Sequence, residues 1–157
     1  MKIAMGSDHA GLALKLEVKK YLEEQGHEVV DYGTYTSDAA DLADYILPAA
    51  LAVSSKECER GIFVDGVGFG SAMIANKLPD VYACVCQDPY CAQLSRWHSD
   101  SNVLCLGGKI IGSVLAMEIV KAWMNAEHWG DQEKYARRVG KVKAIDQKYI
   151  RRLDEVK

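Results

Sequence analysis

The chain has 157 residues, enough for one domain spanning 1–157. Apolar residues make up 49% and charged residues 26%, which excludes a disordered or low-complexity polymer. Basic and acidic residues nearly cancel at −3, and the longest apolar run, 46–53, contains Pro48 and is far too short to span a bilayer.

Short apolar runs alternate with stretches of helical period. Residues 2–6 read as a strand, and the MKIAMGSDH start has no apolar core of a secretory signal. Leu14, Val18, Tyr21 and Leu22 follow helical spacing, with Gly26 as a C-cap. A strand at 27–33 ends in a glycine turn. A helix over 43–53 must place Pro48 in its first turn or at a kink. The strand at 60–66 has a continuous apolar centre that suits burial on both faces. A short helix at 71–77, a strand at 81–86, a helix at 89–97 and a strand at 102–108 follow. Leu115, Ile119, Ala122 and Trp123 mark another amphipathic helix.

The last stretch, 132–155, carries Tyr135, Val139, Val142, Ile145, Tyr149 and Leu153 on one helical stripe. A stripe that long exceeds what a five-stranded domain needs and is expected to pack on a second copy. It also separates charge: residues 1–133 carry −9 and residues 134–157 carry +6. Such a tail reads as a solvated helix, a phosphate-binding element or a nucleic-acid arm. Its charges flank an apolar stripe with no cluster of stacking aromatics, so a nucleotide- or RNA-binding module is the remote reading, and no nucleic-acid or membrane partner is expected.

Strands alternating with helices imply right-handed crossovers and a five-stranded parallel sheet in an α/β fold covered on both faces. Ligands of such folds sit outside the carboxyl ends of the strands, which selects Gly6-Ser7-Asp8-His9, Asp65-Gly66, Gln87-Asp88 and Gly107-Gly108-Lys109. Gly66-Val67-Gly68-Phe69-Gly70 stands between a strand and a helix, where backbone N–H groups can converge on an anion. It lacks the spacing of a dinucleotide fingerprint or a P-loop. Asp65 beside this loop suits proton abstraction next to a carbonyl, with an N-cap or turn role as the plain alternative. As a base it would need a modestly raised pKa. Asp8-His9 faces the same crevice. His98, between helix and strand, suits acid–base work near neutral pH. His128 is a C-terminal helix charge. The five cysteines, Cys58, Cys84, Cys86, Cys91 and Cys105, show no metal-ligand grouping; Cys84 and Cys86 read as buried thiols, and a reducing cytoplasm is expected. Nothing calls for a metal or cofactor.

Gly6-Ser7-Asp8-His9-Ala10-Gly11, Asp31-Tyr32-Gly33-Thr34, Gly66-x-Gly68-x-Gly70, Ala75-Asn76-Lys77 and Leu94-Ser95-Arg96-x-His98 with Asn102-Val103-Leu104 occur in that order between Met1 and Ile145. In these motifs the chain resembles type B ribose-5-phosphate isomerases, a family that includes galactose-6-phosphate isomerase subunits and allose-6-phosphate isomerases. The resemblance implies a Rossmann-like three-layer α/β/α fold, cofactor-free aldose–ketose interconversion, and a homodimer or dimer of dimers with active sites between subunits. It implies that His98 opens the sugar ring with Asp8 nearby, and that the loop of Gly66, Val67, Gly68, Phe69 and Gly70 holds an enediolate. It implies that His9, Lys109, Lys134 and Arg138 grip phosphate, and that Ser99 and Asn102 meet the substrate. Many members have arginine at the positions of Lys109, Lys134 and Arg138, and lysine at two of them loses bidentate geometry.

The departures sit at the centre. Many members carry a catalytic cysteine where this chain has Asp65, threonine where it has Val67, asparagine where it has Ser99, and Asp-Tyr-Pro where it has Asp41-Leu42-Ala43. Asp65 with Phe69-Gly70-Ser71 is similar to the A subunit of galactose-6-phosphate isomerase. Other members place glutamate at Ser71, which joins Asp65, His98 and Asp8 as a candidate catalytic residue. The expected substrate is ribose 5-phosphate or ribulose 5-phosphate, with hexose 6-phosphates, tetrose 4-phosphates or a partner subunit as alternatives.

Overall fold

Alternate residues of the central strands bury side chains on opposite sides of one sheet, which is why those strands are apolar without a polar face. The computed structural model describes residues 1–150. The strands are β1 (Lys2–Ser7), β2 (Glu28–Asp31), β3 (Arg60–Asp65), β4 (Ala83–Val85) and β5 (Val103–Gly107), all parallel in the order β2-β1-β3-β5-β4. Ile3, Met5, Ile62, Val64, Leu104 and Leu106 face one side, where α1 (Leu12–Glu24), α4 (Pro89–Ser99) and α5 (Ser113–Asn125) bring Leu14, Val18, Ala92, Ile119 and Trp123. Ala4, Phe63, Val103 and Cys105 face the other, under α2 (Leu42–Ser54) and α3 (Phe69–Ala75). The result is the expected three-layer α/β/α architecture.

Three details differ from the sequence reading. Pro48 lies in the interior of α2, so the Asp44 carbonyl loses its usual helical donor; the apolar contacts of Ile46, Ala49, Ala50 and Val53 hold the helix around it. The helix α3 starts two residues earlier than expected because Gly68, at φ 86°, makes a left-handed turn directly before Phe69. The last helix, α6 (Glu133–Tyr149), has 17 residues, and the predicted stretch beyond 150, with Leu153, lies outside the described residues.

The stripe of α6 is divided. Tyr135 and Val139 are buried on the chain's own body, whereas Val142, Ile145 and Tyr149 are exposed. The first part of the helix therefore packs on its own domain, and the part of the stripe that exceeds what this domain covers is Val142, Ile145 and Tyr149.

Lys15 is fully buried, which its place among surface lysines of α1 did not announce. Its Nζ donates to Asp31 Oδ1 at 2.6 Å and to the Thr34 carbonyl at 2.8 Å. Burial pulls the Lys15 pKa down, and the bond to Asp31 opposes that shift. This pair ties α1 to the segment after β2, next to the carboxyl end of β1.

Candidate active site

The carboxyl ends of β1, β3 and β5 converge. At Gly11, a Cβ would lie 2.1 Å from the Val64 carbonyl oxygen, so only glycine lets the start of α1 approach the end of β3 this closely. Asp8 Oδ1 accepts the Gly11 N–H at 2.9 Å and closes that turn. His9 is exposed, and its Nδ1 accepts the Ala40 N–H at 3.3 Å, so Nε2 is the nitrogen left to meet a ligand. The loop after β5 is tied to the loop after β3: Gly108 N–H donates to the Asp65 carbonyl at 2.7 Å and Lys109 N–H to the Gly66 carbonyl at 3.0 Å. Asp8, His9, Asp65, the glycine loop, Ser71 and Lys109 thus lie together at the carboxyl edge of the sheet, with Asp65 and Ser71 buried beneath the loop.

The Asp65 carboxylate is only 3% exposed and occupies the cradle itself. Its Oδ1 accepts N–H groups from Val67 at 2.8 Å and Gly68 at 2.5 Å. Its Oδ2 accepts the Ser71 N–H at 2.8 Å and the Ser71 hydroxyl at 2.6 Å. Burial alone would push this carboxyl up, but the hydrogen bonds from Ser71, Val67 and Gly68 outweigh burial and hold it below the ordinary carboxylate range. The expected raised pKa is therefore corrected: the donors thought to wait for a substrate oxygen stabilise the aspartate charge. Val67 and Phe69, whose N–H and turn build the loop, expose apolar side chains at its rim.

His98 lies elsewhere. The helix α4 leaves the carboxyl end of β4 and returns to the amino end of β5, where Asn102 and Val103 N–H groups donate to the Tyr82 carbonyl and Gly61 N–H donates to Asn102. Four strand steps separate Val103 from Gly107, on the order of 13 Å along the sheet. The candidate groups therefore fall into two sets at opposite ends of the strands. His98, Ser99, Asn102, Lys134 and Arg138 form the second set.

Around His98 the structure builds an aromatic cluster. The imidazole stacks on Tyr135 at 4.5 Å between centroids and 5° between planes, and meets the edge of Trp129 at 5.2 Å. Trp129 stacks on Trp97 at 4.8 Å, and the Trp129 backbone N–H donates to the Trp97 carbonyl. A ring nitrogen of His128 lies 2.9 Å from that same carbonyl, so His128 acts at the last turn of α4 rather than of α5. Lys134 and Arg138 are exposed, with their charges 4.7 Å and 5.7 Å from the Tyr135 ring centroid. Buried Arg96 binds the Ser101 and Ala126 carbonyls and Asp100, while buried Arg60 binds the Trp123 and Met124 carbonyls. These two arginines cap the end of α5 and lock it to α4.

Asn102 is engaged within the fold. Its Oδ1 accepts the Tyr82 N–H at 2.7 Å and its Nδ2 donates to the Asp80 carbonyl at 2.7 Å, so its amide fastens the entry to β4. Ser99 is exposed at the end of α4. A shallow cavity of about 300 Å³ beside His98 includes Cys84, Cys86 and Cys91. Burial pushes Cys86 up to about 12 and raises Cys84 as well, so both behave as apolar thiols. Among the described residues, no three His, Cys, Asp or Glu side chains group to hold a metal ion, and no helix is long and apolar enough to cross a membrane. Sequence reasoning missed Tyr135, Trp129, Arg96 and Lys15. Positions 97, 129 and 135 share no period that could have joined them.

A family model described as Ribose/Galactose Isomerase matches residues 3–142. The chain is 44% identical over 147 residues to ribose-5-phosphate isomerase B of Escherichia coli, with 94% of this chain and 97% of that protein covered. It is 37% identical over 159 residues to 4-deoxy-4-sulfo-D-erythrose isomerase of a Clostridium species, with 97% and 99% covered. The solved ribose-5-phosphate isomerase B of Clostridium thermocellum superposes with a TM-score of 0.90 at 44% identity, over 95% of this chain and 99% of that one.

Proposed function

This chain belongs to the ribose/galactose isomerase family, and on that premise we propose that it is a cofactor-independent aldose–ketose isomerase of a phosphorylated sugar, with ribose 5-phosphate and ribulose 5-phosphate as the first-choice pair. The observation that carries this reading is the match to ribose-5-phosphate isomerase B over 94% of this chain and 97% of that protein, together with the gathering of Asp8, His9, Asp65 and Lys109 at one edge of the sheet. His98 takes the anomeric hydroxyl proton and returns a proton to the ring oxygen as the ring C–O bond breaks. A base then moves a proton between C2 and C1 through an enediolate while the hydroxyl proton passes between O2 and O1, so no external oxidant or reductant is required. His9, Lys109, Lys134 and Arg138 hold the phosphate.

Asp65 is the base in this scheme, and its resting hydrogen bonds define the condition for its work. A substrate oxygen that takes the Val67 and Gly68 N–H groups removes two of the bonds that hold the carboxyl down. Burial, the opposing influence, then raises its basicity. The cradle thereby passes from stabilising the aspartate charge to stabilising the enediolate charge. Asp8 and Ser71 orient the turn and the carboxylate. The same pinned geometry favours one second reading, in which Asp65 is an anchor and the base comes from a partner subunit of a different sequence, as the likeness at Asp65 to the galactose-6-phosphate isomerase A subunit suggests.

Because His98 and Asp65 lie at opposite ends of one sheet, a site containing both needs a second copy. We assign that copy to the exposed Val142, Ile145 and Tyr149 of α6, as a homodimer or a dimer of dimers. Five unpaired thiols fit a reducing cytoplasm. Assay of the purified chain against four-, five- and six-carbon aldose and ketose phosphates tests the proposal. Turnover of a pentose 5-phosphate is expected; turnover of a hexose or tetrose phosphate instead reassigns the substrate. No turnover of any sugar phosphate refutes a homomeric isomerase.

A further inference from the structure

We propose that Tyr135 is a positioning residue that holds the His98 imidazole and the phosphate-binding charges of α6 in one fixed arrangement. The inference rests on the isomerase reading above and deepens it. His98 sits at the last turn of α4, a place where a half-buried imidazole would otherwise turn freely about its terminal side-chain bond. A nearly parallel ring 4.5 Å away confines the imidazole to one plane, because the flat faces stay in contact only in that plane, in two orientations related by a half-turn. Trp129 closes the second side edge-on; its ring is fixed by its stack on Trp97, and its backbone N–H, donated to the Trp97 carbonyl, anchors the chain at that point. Stacking uses the faces of the imidazole and leaves both nitrogens at its perimeter, where proton transfer takes place.

Tyr135 is 8% exposed, so its ring is set by packing rather than by solvent. It neighbours Lys134 in sequence and lies three positions, nearly one helical turn, before Arg138, and both cations lie over the same ring. The separation between the phosphate charges and His98 is therefore set by one side chain. A substrate held by its phosphate presents its ring oxygen to His98 at a distance that this aromatic contact determines.

The test compares Tyr135→Phe with Tyr135→Leu in the full chain. Steady-state kcat and KM are measured on the sugar phosphate that the wild type turns over best, and the His98 ring-proton shifts are followed by NMR. Tyr135→Phe retains the ring and should stay within about twofold of wild type in kcat. Tyr135→Leu should lose about 10- to 100-fold in kcat with KM within about threefold, as misplacement of a reacting group does. The His98 ring protons should be displaced upfield in wild type and Tyr135→Phe, and revert in Tyr135→Leu. An unchanged kcat in Tyr135→Leu, or equal damage in Tyr135→Phe, overturns the positioning role. If Tyr135→Leu does not fold, the wild-type shifts decide: His98 protons without an upfield displacement overturn the proposal, and displaced protons with an active Tyr135→Phe sustain it. A wild type that turns over no sugar phosphate overturns the isomerase reading, and this one with it.

Discussion

Replacing Asp65 by asparagine separates the anchor from the base. The best placement of the amide keeps its oxygen towards the Val67 and Gly68 N–H groups and turns its NH2 towards Ser71. The Ser71 hydroxyl can rotate to accept, but the Ser71 N–H is left facing a donor inside a buried loop. An orphaned buried N–H costs about 1–3 kcal/mol, and the two remaining bonds lose their charge assistance at about 1 kcal/mol each. The expected loss is thus about 3–5 kcal/mol, against a typical domain stability of about 5–15 kcal/mol. Urea denaturation at fixed protein concentration measures it. Because the folded Asp65 carboxyl is held below its unfolded value, its contribution is complete above the unfolded value of about 4 and fades as pH falls through the folded one. The wild-type advantage should therefore be flat from neutral pH down to about pH 5 and shrink below about pH 4. Isomerisation should be abolished while a phosphorylated ligand still binds. A variant within about 0.5 kcal/mol of wild type at neutral pH would refute the pinned carboxylate. So would an advantage that grows on acidification, since that sign belongs to a raised carboxyl.

If each site combines Asp65 of one copy with His98 of another, equal amounts of inactive Asp65→Asn and His98→Ala chains, refolded together, should regain roughly a quarter of wild-type activity, because half the dimers are hybrid with one intact site each; no recovery would place both groups in one chain's site or the base elsewhere. The double substitution Lys134→Ala with Arg138→Ala should raise KM by about 10- to 100-fold with kcat nearly unchanged, as loss of uniform phosphate binding does, and an unchanged KM would remove α6 from the site. Lys15→Ala strands the buried Asp31 carboxylate and the Thr34 carbonyl and should lower stability by about 3 kcal/mol in thermal or urea unfolding. A loss under about 1 kcal/mol would mean that Lys19, 3.4 Å from Asp31, takes over the pairing.

Much of the scaffold was legible in the residues alone. Runs such as Gly61-Ile62-Phe63-Val64 announce a strand buried on both faces, and Leu14, Val18 and Leu22 announce the inner face of a helix, because both signals arise from neighbours only a few positions away. Strand ends followed by Asp8-His9, Asp65-Gly66 and Gly108-Lys109 were enough to predict one crevice, since every parallel strand must deliver its carboxyl end to the same edge. What those residues do there was decided by contacts between distant segments. Asp65 was read as a carboxylate beside an anion cradle; only the turn at Gly68 shows that the cradle closes on Asp65 itself. His98 was read as an acid–base group between a helix and a strand, with Asp8 nearby only through the family resemblance; the return of α4 to the amino edge shows which end of the sheet it occupies. The partners of Lys15 and Tyr135 lie 16 and 37 positions away, at Asp31 and His98, beyond the reach of any helical or strand period. Periodicity determines which face of an element turns inward, whereas a buried charge or an oriented ring depends on which other element arrives opposite it, and that is set by register and crossover in three dimensions.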